Sequence, residues 1–178
     1  QKWEATVPGF EGPPPSSEMI RNVLRLARKD QVAPFVVEYR GQIVGQVTLS
    51  GLSFGSLASG AVGYWVSEAF AGKGITPLAV ALVVDWAFTN LGIHRVEVCI
   101  RPENEASLRI VRKLGMRYEG LRRRYIHIDG DWRDHFCFAV TIDEVLGGLL
   151  ARLVRGTADP RLADIPEADL VAARTPIR

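Results

Sequence analysis

The chain has 178 residues, enough for one domain with a real core, and its apolar and charged content is ordinary for a globular protein. A net charge of +2, from 22 basic and 20 acidic side chains, excludes a strong global pull towards nucleic acid or an anionic membrane. Two cysteines, Cys99 and Cys137, are too few for a disulfide framework and fit a reducing cytosol; no stretch is long and apolar enough to span a bilayer, and the start, at Gln1, lacks a signal-peptide apolar core.

Gln1 to Pro15 carries Pro8, Pro13, Pro14 and Pro15 and reads as an extended lead-in. Ser16 or Ser17 is expected to cap a helix to about Asp30, with Met19, Ile20, Val23, Leu24 and Ala27 on one face. Ala33 to Tyr39 and Gln42 to Leu49 read as antiparallel strands joined by Arg40-Gly41. Ser50 to Gly60, rich in Gly and Ser, reads as a loop. Ala61 to Val66 is a third strand. Thr76 is expected to cap a second helix to Asn90, with Pro77 in its first position and Gly92 as its stop.

His94 to Ile100 alternates as a strand, and Pro102 ends it. Asn104 caps a third helix to Leu114, stopped by Gly115, with Leu108, Val111 and Leu114 on the core side. A hairpin follows: Leu121 to Ile128, a turn at Asp129-Gly130-Asp131, and His135 to Thr141. Ile142 to Leu153 reads as helix. From Arg155 the periodicity is weak, so 1–154 is one domain and 155–178 a C-terminal tail, disordered or laid on a partner.

The turn between Val66 and Leu78, Ser67-Glu68-Ala69-Phe70-Ala71-Gly72-Lys73-Gly74-Ile75-Thr76-Pro77, joins a strand to an apolar helix. Glycines let amide N–H groups converge, and a helix start adds unpaired donors and a positive dipole end. A phosphate-bearing ligand could rest over Ala71 to Thr76; the same residues also suit a plain helix-entry turn. Lys73 is followed by Gly74 rather than Ser or Thr, so this is not a Walker A loop. Pro77 stands where a dinucleotide fingerprint needs its third glycine.

A second marker follows: Asn104-x-x-Ser107, then Lys113-Leu114-Gly115-Met116 and Tyr118-Glu119-Gly120. With Gly72-Lys73-Gly74 ahead of the middle helix, and the order of elements from Pro34 to Thr141, the chain resembles the GCN5-related N-acetyltransferase (GNAT) superfamily. Within it, the chain resembles the ribosomal-protein alanine N-acetyltransferase branch (RimJ/RimL-like). The resemblance implies an α+β, three-layer GNAT fold, with a mixed, mostly antiparallel sheet, a central splay and flanking helices. The family's first strand and helix, expected ahead of the proline-rich segment, are not read in this sequence, which either starts after them or belongs to a fold shortened at that end. The family's phosphate loop commonly begins with Gln or Arg and ends with Gly or Ala, where this chain has Ala71 and Thr76. Its third-helix tyrosine, the usual proton donor, is Val111 here.

What the resemblance implies is acetyl transfer from acetyl-CoA, as co-substrate, to an amine. The diphosphate would rest on Ala71, Gly72, Lys73, Gly74, Ile75 and Thr76. The pantetheine arm would pair with the backbone of Trp65 and Val66, and Asn104 would contact the arm or a water while capping its helix. Ser107 is the candidate proton donor or water-holder. Base candidates are Glu38, Glu68, His127 and Asp134; Glu119 is read as stabilising a turn. Of Tyr64 and Trp65, one would line the acceptor cleft and the other the core. Arg122-Arg123-Arg124 could meet an acidic substrate, ribosomal RNA or water.

Three functions are open: acetylation of a protein or peptide N-terminus, with a ribosomal protein as partner and a homodimer possible; acetylation of a small amine such as an aminoglycoside or polyamine, which needs Glu38, Glu68, Asp131 and Asp134 to converge; or acyl-CoA binding without transfer. No metal, membrane or strong nucleic-acid signal is read. The expected location is the cytoplasm.

Overall fold

The computed structural model describes residues 5–9 and 16–175. Much of the lead-in read over 1–15 lies outside them. Helix α1 (Ser16–Ala27) precedes strands β1 (Val32–Tyr39), β2 (Gln42–Ser53) and β3 (Ser59–Val66). Both serines read as its cap fall inside its first turn. Helix α2 (Ile75–Trp86) ends in one π-turn, Ala87–Leu91. Strand β4 (Arg95–Ile100), helix α3 (Glu105–Leu114), and strands β5 (Arg117–Ile128) and β6 (Asp131–Thr141) follow. Helices α4 (Leu149–Arg155) and α5 (Glu167–Arg174) close the order.

The six strands form one sheet in the order β1-β2-β3-β4-β6-β5, antiparallel throughout except for β3 beside β4. Its helix-facing side carries Leu49, Val98, Phe136 and Phe138. Val80 and Val84 of α2 and Val111 and Leu114 of α3 pack onto it. Each such fully buried side chain contributes about 1.5–3 kcal/mol relative to exposure. Val111, at the third-helix position where the family often carries tyrosine, is 1% exposed and therefore belongs to the core.

Local signals place several joints as expected. Arg40 (φ 53°) and Gly41 (φ 79°) make the two-residue hairpin turn. Gly92 (φ 64°) and Gly115 (φ 62°) stop their helices in the left-handed region. Three expectations are corrected. The Gly/Ser loop shrinks to 54–58, because the β2–β3 ladder continues through Ser50–Ala61 to Ser53–Ser59. Helix α2 begins at Ile75, one residue before the expected cap Thr76, after the left-handed Gly74 (φ 78°). Pro77 sits third and is tolerated there because a first-turn N–H has no helical partner. The helix read over Ile142 to Leu153 is broken at Gly147 (φ 94°) and Gly148 (φ 98°), with a 3-10 turn, Ile142–Val145, before the break.

The segment after Arg155 is not a free tail. Ala163 is 2% exposed, and Leu170 and Ala173 pack on the core. The Tyr118 hydroxyl donates to Asp169 at 2.8 Å, and Arg112 pairs with Asp164 at 3.3 Å. The segment expected to be disordered or laid on a partner packs on its own chain through residue 175. Among the described residues no helix is long and apolar enough to cross a membrane.

Asp85 on α2 accepts from the amides of Leu149 (2.6 Å) and Leu150 (2.9 Å), holding the start of α4 against α2. Asp85→Ala removes both acceptors at once. It is expected to destabilise the fold by about 2 kcal/mol, read as a lowered urea midpoint at unchanged slope.

Candidate active site

Strands β3 and β4 start as parallel neighbours and then part. They pair at Ser59–Arg95, Gly60–Val96 and Ala61–Glu97 and, among the described residues, no further. Beyond Ala61, β3 stays bonded to β2 and β4 to β6, so a wedge opens between them. The expected splay is therefore present, and two clefts meet in it. The larger, about 630 Å³, is lined by Trp65, Val66, Glu68, Ala71, Thr76 and Ile110 among others. The smaller, about 150 Å³, is lined by Cys99, Arg101 and His135 among others. Gly63, Tyr64, Asn104 and Ser107 line both.

The main-chain groups that β3 turns into the wedge follow from strand alternation. Ser67 N–H donates to Val44 at 2.7 Å, so Trp65, two residues earlier, also faces β2. Ala58 accepts from His94 at 2.6 Å, so the even-numbered residues face the β4 side. Tyr64 and Val66 therefore present their amides and carbonyls to the wedge. Trp65 does not, which corrects its expected main-chain role. Its carbonyl crowds Gly45, where a Cβ would stand only 2.4 Å from it. The Trp65 side chain, 52% exposed, still lines the larger cleft.

At the mouth of that cleft lies the glycine turn. The Ala71 amide is spent on the Glu68 carbonyl at 3.0 Å, which leaves Gly72 to Thr76 as the donor run. Gly72 (φ 76°) and Gly74 (φ 78°) have no atom within 4 Å of where a side chain would be, so a bulky anion can approach the backbone. Ile75 and Thr76 open α2 and add first-turn amides. Lys73 lies with Nζ 4.8 Å from the Phe70 ring centroid, and Phe70 packs edge-on against Tyr39.

Asn104 caps α3 by accepting from the Ser107 amide at 3.2 Å. That bond leaves the Ser107 hydroxyl out of the cap and beside Tyr64. The Tyr64 hydroxyl is buried without a hydrogen bond of good geometry among the described residues. Burial pushes its pKa up to about 12, the nearby Ser107 side chain offsetting part of the rise. Between Tyr64 and Trp65, then, Tyr64 reaches the junction of the clefts while its ring packs on the core.

The expected bases do not converge. Glu38 is exposed on β1, at the sheet edge, opposite Ile43. His127 on β5 is held by Thr6, Oγ1 to Nδ1 2.8 Å, and stacks edge-on with Trp132. Glu68 lines the larger cleft. Asp134 pairs with Arg123 at 2.7 Å and accepts from the Arg124 amide at 2.7 Å, in a separate pocket that Asp131 also lines. The four carboxylates that a small polycationic acceptor would need are thus spread over three sites. Glu119 is an ion-pair node rather than a turn residue: Arg95 and Arg117 both donate to it, and they hold its carboxyl below the usual range. The arginine run is largely absorbed internally. Arg122 bonds Glu97 at 3.2 Å and lies over Tyr125, and Arg123 donates to the Thr175 carbonyl at 2.6 Å; Arg124 is exposed.

Two groups in or beside the smaller cleft, which Cys99 and His135 line, escape sequence reading. Cys99 and Cys137 are directly opposed on β4 and β6 with sulfurs 2.7 Å apart as thiols. His135, 3% exposed, is buried on the same face of β6 as Cys137. The alternation of His135, Cys137 and Ala139 with Phe136, Phe138 and Val140 assigns that face. It does not reveal that β4, and with it the wedge, is the neighbour.

Comparison with known proteins fits this geometry. A family model described as an acetyltransferase (GNAT) domain matches residues 1–117. Bacillus subtilis "Probable N-acetyltransferase YjcK" is 39% identical over 99 residues, 56% of this chain and 55% of that protein. The Escherichia coli ribosomal protein uS5-alanine N-acetyltransferase is 31% identical over 100 residues, 56% of this chain and 52% of that one. The chain thus spans about half the length of these curated relatives. A solved structure of Mycobacterium smegmatis RimJ in complex with CoA-disulfide superposes with a TM-score of 0.81 at 35% identity, covering 88% of this chain and 77% of that one.

Proposed function

This chain belongs to the acetyltransferase (GNAT) domain family, and on that premise we propose that it transfers the acetyl group of acetyl-CoA to the N-terminal amine of a protein. The single observation that carries the reading is the wedge: β3–β4 pairing that stops after three residue pairs, with two clefts meeting at Tyr64, Asn104 and Ser107. The likeness to RimJ and to the uS5-alanine enzyme supports a ribosomal protein as the acceptor. A cytoplasmic setting goes with that acceptor and with two cysteines kept as thiols.

In this reading acetyl-CoA lies along β3 in the larger cleft. Its diphosphate rests on the Gly72 to Thr76 amides, and its pantetheine arm adds as a strand against Tyr64 and Val66. The thioester then stands where the clefts meet, and the amine arrives through the smaller one. An α-amino group has a pKa near about 8, so a useful fraction is neutral at cytosolic pH. The amine nitrogen bonds to the carbonyl carbon, an amide donor of the wedge edge steadies the oxyanion, and the carbon–sulfur bond breaks. Ser107, or a water it holds, returns a proton to the departing thiolate.

The test is thiol release from acetyl-CoA with a library of peptides beginning in Ala or Ser. Peptide-dependent release with acetylated product by mass spectrometry is the expected result. Tight coenzyme binding with no turnover on any amine would overturn the reading in favour of a coenzyme-binding module.

A further inference from the structure

We infer that His135 is the general base of this site, taking the proton of the acceptor amine on Nε2; the inference rests on the acetyl-transfer reading above. His135 lines the smaller cleft together with Ser107, Asn104 and Tyr64. Its Nδ1 lies 3.0 Å from the Arg133 carbonyl. A carbonyl only accepts, so Nδ1 carries the proton and Nε2 keeps the lone pair. The ring is fixed further by an edge-on contact with Tyr125, centroids 5.9 Å apart. An imidazole held in one tautomer, on a strand rather than a loop, in the cleft that receives the amine, is placed to accept a proton. The other two histidines are engaged elsewhere: His94 pairs with Asp143 at 2.6 Å, and His127 is bonded to Thr6.

Burial, more than the surrounding charges, favours the neutral ring. Burial depresses its pKa first of all. The Arg133 carbonyl acts the other way, Arg101 lowers it again, and Asp134 and Glu103 raise it; the net direction is down. Arg122 and Tyr125 of β5, Cys99 of β4, Tyr64 of β3 and Ser107 of α3 complete the groups around it; among these, Arg122 is paired with Glu97. In the reaction, the amine nitrogen gives its electron pair to the carbonyl carbon and becomes positively charged. That nitrogen then loses one proton to Nε2. The carbon–sulfur bond breaks with its electron pair on sulfur, the thiolate takes a proton from the Ser107 side, and His135 later releases its proton to water.

Because both the base and the amine work only when neutral, log kcat/KM should rise with a slope of about two below the His135 pKa, which lies under the ordinary imidazole value of 6.5, and with a slope of about one from there to the amine pKa of about 8. The experiment compares the wild-type protein with His135→Gln, using acetyl-CoA and the best peptide from the Ala/Ser library. A loss of about 100-fold or more in kcat, loss of the steeper limb below the His135 pKa with the amine limb retained, and acetyl-CoA affinity within about threefold of wild type are expected. Unchanged kcat with an unchanged limb, in a wild type that binds and turns over, overturns His135 as base while acetyl transfer stands. A wild type that does not turn over fails the underlying reading instead. Long-range proton–nitrogen NMR on the wild-type protein needs no substitution at His135. With three histidines in the chain, His94→Gln and His127→Gln assign the third. A proton on Nδ1 and a titration coinciding with the kinetic limb support the role; a proton on Nε2 overturns it.

Discussion

Gly74→Glu is expected to weaken acetyl-CoA binding about a hundredfold, ~2.7 kcal/mol, with the fold intact. Two effects act together. Gly74 holds φ 78° as the residue before α2, a conformation that costs a side-chain-bearing residue about 1–2 kcal/mol. The strain loosens the turn whose amides are proposed to face the diphosphate. A carboxylate then stands beside a doubly charged group, with no neighbour within 4 Å of its Cβ to hold it aside. Gly74→Ala separates the two, because it carries the backbone strain without the charge. Its loss should stay near about tenfold. Titration calorimetry with acetyl-CoA reads both variants. Wild-type affinity in the glutamate variant would place the diphosphate away from this turn.

Ser107→Ala is expected to lower kcat about 100-fold while leaving acetyl-CoA affinity within about threefold. The separation is specific because Asn104 caps α3 through the Ser107 main-chain amide, at 3.2 Å, and not through its hydroxyl. The alanine variant keeps that cap, so helix α3 and the cleft wall stay in place. What it loses is a hydroxyl beside the buried Tyr64 oxygen at the meeting of the clefts. Tyr64, with its pKa pushed up to about 12, stays protonated and would lose the Ser107 side chain that could link it to a water. Single-turnover rates with the best Ala or Ser peptide measure the effect, and an unchanged rate removes Ser107 from proton delivery.

Some of this protein was legible from neighbours along the chain. Arg40-Gly41, Gly92, Asn104 and Gly115 act within a few residues, through left-handed backbone or a side chain reaching the next turn. Period-two alternation in Val96, Val98 and Ile100 likewise states which side of β4 is buried. The pairing of Gly72-Lys73-Gly74 with Asn104-x-x-Ser107 marked both ends of the cleft, since each lies at a helix start whose orientation is set locally. Alternation offers Glu38 to the cleft and imidazole chemistry offers His127, but neither signal reports which strands are neighbours. Glu38 lies at the edge beside β2, and His127 lies at the far end of the β5–β6 hairpin.

By itself, then, the sequence determined the glycine stops of the second and third helices, the Asn104 cap, the hairpin turns, the glycine bend and the family's architecture, all carried by contacts short in chain distance or by paired motifs. Only the tertiary structure decided that β3 parts from β4 after Ala61, that Tyr64 rather than Trp65 opens its backbone to the wedge, and that His135 joins Ser107 there. It also decided that 155–175 folds back on α3 and β5. Those outcomes depend on which strand lies beside which and on what covers each face, and burial between residues distant in the chain is set by the whole packed sheet.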